Sequence, residues 1–84
     1  MTNDLEYEVI DISTIDTENL STIDNGELLR LLDSIQEVNL GKYVRVRNPI
    51  IAKYGANYWT AFVMGRLYMD EKTRKKVLYL IDYV

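Results

Sequence analysis

Apolar and polar positions change rhythm several times along this chain of 84 residues. Leu5, Tyr7 and Val9 alternate with Glu6 and Glu8, which predicts a half-buried strand over 5–12, with a slip of phase near Ile10. Leu28, Leu31, Leu32, Ile35 and Val38 then recur at helical spacing, with Arg30, Asp33, Ser34 and Glu37 largely opposite. Asp24, three residues before Glu27, forms a capping-box pattern, with Ile23 and Leu28 placed as a hydrophobic staple. A helix over about 25–38 follows, ended by Asn39 or Gly41 in the left-handed region. Residues 13–28 hold a short duplication, Ser13-Thr14-Ile15-Asp16 and Ser21-Thr22-Ile23-Asp24, which reads as two successive cap or turn signals.

The second half reads as strands. Lys42–Arg47 alternates, with Val44 and Val46 on one side and Tyr43, Arg45 and Arg47 on the other, and Asn48-Pro49 stops it. Pro49–Gly55 is a loop or one helical turn with Gly55 past its end. Tyr58–Met69 and Lys76–Val84 are rich in aromatic and β-branched residues and predict a β-hairpin turning at Asp70–Thr73. Both faces of that hairpin are apolar, so both need cover. One helix covers only one side. Phe62, Met64, Tyr68, Tyr79 and Ile81 would then share an open face, and a homodimer, favoured slightly over a monomer, is the most economical way to close it.

The expected fold is therefore α+β. One amphipathic helix packs on an antiparallel sheet of three or four strands in the order β-α-β-β-β, as a single small domain over 1–84. A partly open SH3-like barrel is the alternative. Gly41–Val46, Tyr58–Val63 and Val77–Tyr83 resemble the strand pattern of Tudor-type SH3-like barrels over about half the chain. The Gly, the Asn and the closing strand that complete that family's signature are absent, so the resemblance implies the hydrophobic rhythm of such a barrel and not its methyl-ligand cage.

Charge divides the chain further. Residues 1–39 carry ten acids against one base, Arg30, and residues 40–84 carry nine bases against three acids, for a net charge of −3. Such asymmetry bears on partners rather than on fold. It has three readings: two halves that neutralise each other, an acidic face for a basic partner, or a basic face for nucleic acid or an acidic partner. The acidic partner-binding candidates are Glu6, Glu8, Asp11, Asp16 and Glu18. The basic and aromatic candidates are Tyr43, Arg45, Arg47, Arg66, Lys72, Arg74, Lys75 and Lys76, which combine charge for phosphates with rings for bases.

No catalytic signature is present. There is no Cys and no His. That removes disulfides, thiolate metal sites, the commonest zinc ligand and the commonest general base. No phosphate loop occurs, and the acids around Asp24-Asn25-Gly26 fail the EF-hand spacing. The N-terminal residues lack a secretory pattern and no apolar run is long enough for a bilayer, so no membrane role and a cytoplasmic location are expected. Abundant Ile, Asn, Lys and Tyr suggest an AT-rich genome. The expected function is a non-enzymatic protein–protein interaction module without a cofactor. A phage- or mobile-element-type inhibitor or adaptor acting on a nucleic-acid-handling partner fits these features. The alternative is a nucleic-acid-binding domain using the basic C-terminal hairpin.

Overall fold

The computed structural model describes residues 9–84. A 3₁₀ turn, Ile12–Thr14, precedes four helices: α1 (Asn25–Val38), α2 (Leu40–Tyr54), α3 (Ala56–Val63) and α4 (Glu71–Tyr83). Among the described residues there is no β-strand. The fold is a small all-α one, which overturns the expected α+β sheet, the hairpin and the barrel alternative. Of the strand expected over 5–12, residues 5–8 lie outside the described residues, and 9–11 have no regular structure before the 3₁₀ turn.

Helix α1 forms where its leucine stripe and cap predict it. The Asp24 carboxylate accepts from the Glu27 backbone N–H at 2.8 Å, and Leu28, Leu32 and Ile35 are buried. Asn39 then serves two helices at once. Its N–H donates to the Ile35 carbonyl at 2.7 Å, closing α1, and its side chain accepts from the Lys42 N–H at 3.1 Å, opening α2. A short polar residue suits both roles, because it caps an N-terminus at little steric cost.

The expected strand over 42–47 lies inside α2. Its buried residues are Tyr43, Val46, Pro49 and Ile50, a spacing of three and four that marks one face of a helix. The alternation of Val44 and Val46 is a short coincidence within that longer period. Pro49 does not stop the helix. It is buried inside it, where it lacks the N–H that the Arg45 carbonyl would otherwise receive, an interior position that costs about 3 kcal/mol. Gly55, at φ 97°, ends α2 and starts α3. That backbone region is open to glycine and strained for other residues.

The two arms of the expected hairpin are α3 and α4. Trp59 and Phe62 are buried at a spacing of three, and Thr73, Val77, Leu80 and Ile81 form one face of α4. The expected turn at Asp70–Thr73 is the N-terminus of α4, because the Asp70 carboxylate accepts from the Thr73 N–H at 2.9 Å. Phe62 and Ile81 are core residues, whereas Met64, Tyr68 and Tyr79 are exposed. The open sheet face from which self-association is expected therefore does not exist.

Helix α2 is central, touching α1, α3, α4 and the 3₁₀ turn. Around it one core joins Ile12, Leu28, Leu32, Val46, Ile50, Phe62, Met69, Val77 and Leu80. At its edge the Trp59 indole Nε1 donates to the Tyr43 hydroxyl at 3.3 Å, and the two rings meet edge to face at 6.0 Å. Residues 9–24 form an arm across α2 and α4. Ile10 and Ile12 line a shallow groove with Pro49 and Lys53, Ile15 and Asp16 line another with Tyr79 and Tyr83, and Leu20 lines a third with Lys75 and Leu78. The Arg74 guanidinium fastens the end of this arm. Its Nε donates to the Ile23 carbonyl at 2.7 Å and its Nη1 to the Met69 carbonyl at 2.6 Å, while Asn25 Oδ1 accepts from the Met69 N–H at 3.1 Å.

Candidate interaction surfaces

The acidic candidates fall on the arm. Glu6 and Glu8 lie outside the described residues. Asp11 caps the 3₁₀ turn, accepting from the Ser13 N–H at 3.0 Å and the Ser13 hydroxyl at 2.8 Å. Those two bonds hold its carboxyl below the usual range, and Lys53 and Lys76 nearby lower it further. Asp16 accepts from the Glu18 N–H at 3.0 Å, and Glu18 is exposed. Asp11 and Asp16 thus spend acceptor capacity on local turns, and Asp11 shares a groove with Lys53 of the C-terminal half.

The basic and aromatic candidates do not share one face. Tyr43 is buried against Trp59, so its ring is not open to a base. Arg45 is exposed, and Arg47 is half-buried with Nε and Nη2 both donating to Asn48 Oδ1, at 3.2 and 3.1 Å. Arg66 is exposed beyond α3. Arg74 is committed to two carbonyls. Lys72, Lys75 and Lys76 lie in the first two turns of α4, with Lys72 exposed and the other two half-buried.

Reading α4 at 100° per residue places Lys72, Lys75, Lys76, Tyr79 and Tyr83 along one outer strip, opposite the buried Thr73, Val77, Leu80 and Ile81. Tyr79 and Tyr83 are stacked, with centroids 5.8 Å apart and an interplanar angle of 15°. A second stacked pair, Tyr54 and Tyr58, spans the α2–α3 link at 4.5 Å, with the Tyr54 hydroxyl 3.3 Å from the Thr73 hydroxyl. Burial, with Tyr54 and Asp70 adding, pushes the Tyr58 hydroxyl pKa up.

Another surface forms where α1, α2 and α3 meet. Leu29, Leu32, Tyr43 and Val63 line a groove of about 510 Å³, with Arg30, Asp33 and Gln36 also on it. Val63 is 40% exposed, and the neighbouring Met64 is 58% exposed. The outer face of α1 beside it carries Glu27, Asp33 and Glu37 around the single base Arg30, all exposed. This groove depends on α2 and α3 being helices, so strand assignments there hide it. The one signal available in sequence is the polar face of α1, whose charged residues Glu27, Arg30, Asp33 and Glu37 recur at three- and four-residue spacing.

Among the described residues no group of three or more acidic side chains is placed to hold a metal ion. No helix among them is long and apolar enough to cross a membrane. Comparison of the chain with protein-family models, curated proteins and solved structures finds no match.

Proposed function

We propose that the protein is a non-catalytic binding module that seats a basic amphipathic segment of a protein partner, acting as a stoichiometric inhibitor or adaptor of a nucleic-acid-handling protein. The observation that carries this reading is the α1–α2–α3 groove, where half-buried Leu29 and exposed Val63 present apolar surface over the buried Leu32 and Tyr43, beside the acidic outer face of α1. An amphipathic helix laid in such a groove puts its apolar anchors on the floor. Its Lys and Arg residues then face Asp33 and Glu37, which steers association and fixes orientation. The carboxylates beside this groove are those of α1, whereas Asp11 and Asp16 of the arm accept hydrogen bonds from local turns.

Affinity capture from the native host, read by mass spectrometry, tests the reading. The wild-type protein is expected to retain a basic partner that Asp33→Lys/Glu37→Lys and Val63→Glu both release, while circular dichroism shows all three folded. Undiminished capture by the folded variants rejects the α1 face as the docking surface.

A further inference from the structure

The outer strip of α4 is not used by that reading and has its own chemistry. Lys72, Lys76, Tyr79 and Tyr83 follow one another at spacings of four, three and four, which keeps them on one side of the helix over about 16 Å. Three lysines occupy its N-terminal half, and two stacked tyrosines its C-terminal half. Tyr83 is 65% and Tyr79 37% exposed. Lys72 stands in the first helical turn, where the helix dipole disfavours a cation, so helix stability does not explain it. Of the aliphatic residues of α4, Val77, Leu80 and Ile81 are buried in the core, and Leu78 is half-buried to the side of the strip, in a groove with Leu20. The strip therefore offers charge and π-faces without the aliphatic surface an interfacial membrane helix buries.

We infer that this strip of α4 binds single-stranded nucleic acid, with Lys72, Lys75 and Lys76 on phosphates and the Tyr79–Tyr83 pair against a base. Single strands are favoured over duplex because an aromatic ring needs an unstacked base to meet. Asp16 shares a groove with Tyr79 and Tyr83, and Asp82 shares one with Lys75 and Tyr79, so two acids oppose a phosphate at the aromatic end.

Fluorescence anisotropy with a short fluorescein-labelled oligothymidylate at low salt tests this. Three phosphate contacts predict that log K falls with log salt at a slope of about −2. Lys72→Glu/Lys76→Glu is expected to abolish binding, Tyr83→Ala to weaken it roughly tenfold, and Tyr83→Phe to restore it. Asp16→Asn keeps the acceptor for Glu18 and removes the charge, so it is expected to tighten binding. Arg45→Glu, a charge reversal on the outer side of α2, is the control for net charge. Overturning results are no binding by the folded wild-type protein, equal losses from Arg45→Glu and Lys72→Glu, or lysine-dependent binding to phosphatidylserine vesicles without binding to the oligonucleotide. Loss of oligonucleotide binding with partner capture intact separates this strip from the α1 groove.

Discussion

Arg74 shows how far one side chain's role departs from its neighbours'. It lies among Lys72, Lys75 and Lys76, yet its guanidinium joins the Ile23 and Met69 carbonyls, closing the N-terminal arm onto α4. A fork of fixed geometry reaches two acceptors at once, which an ammonium does not reproduce. Arg74→Lys and Arg74→Met are therefore both expected to destabilise the protein, by about 1.5–3 kcal/mol for the methionine. Lys72→Met should stay within about 0.5 kcal/mol. Urea melts check the contrast, and a neutral Arg74→Met removes the clasp. Tyr43→Phe is a second case. It strips the acceptor from the Trp59 indole in the core, at an expected cost of about 1–3 kcal/mol for a buried unpaired donor. Neither role was legible in the sequence, because each depends on a partner brought near only by the tertiary fold: Ile23 for Arg74 and Trp59 for Tyr43.

Among the elements, α1 was legible and the rest were not, for a physical reason. Leu28, Leu32 and Ile35 stand against clearly polar neighbours, and Asp24 supplies the cap, so period and boundary agree. In α3 and α4 the buried residues have equally helical spacing, but Tyr58 and Val63 beside those of α3, and Leu78 and Tyr79 between those of α4, are apolar too and blur the period. β-branched and aromatic content then points to strands, although such propensity yields to packing. The apolar character of both hairpin faces was the warning. Asp70 is the cap that went unread. Its bonds from Thr73 lower its pKa, so its contribution is full above the ordinary carboxylate value of 3.8 and is lost as pH falls through the lower folded value. Asp70→Asn keeps an acceptor and should flatten that acid dependence. Asp70→Ala should cost about 0.5–2 kcal/mol at neutral pH. Thermal melts across the acid range distinguish the two.

At the scale of the molecule, the charge asymmetry is partly resolved by the arm. Asp11 shares a groove with Lys53, and Lys53 and Lys76 both lower its pKa, so this one acid of the arm is turned towards bases of the other half. The acidic face of α1 and the lysine–tyrosine strip of α4 lie on different helices. Ile12, 1% exposed, pins the arm to the core, and Ile12→Ala is expected to cost about 2–5 kcal/mol. Two-state unfolding of that variant, read by coincident tryptophan fluorescence and circular dichroism, would show the arm to be integral. An early separate transition would show it to detach first.

The single-residue links at Asn39 and Gly55 leave α1, α2 and α3 almost no slack, which gives the groove between them a kinetic signature. Such a groove is preorganised, and the ordering entropy of docking falls on the incoming segment. Stopped-flow mixing with the captured partner should give observed rates that rise linearly with its concentration and show no plateau from a prior opening step. The slope should lie near the roughly 10⁵–10⁷ M⁻¹s⁻¹ of rigid patches, raised at low salt by the acids of α1. Inserting two glycines after Gly55, which makes no side-chain cap bond to α3, should slow association while leaving the helical content intact.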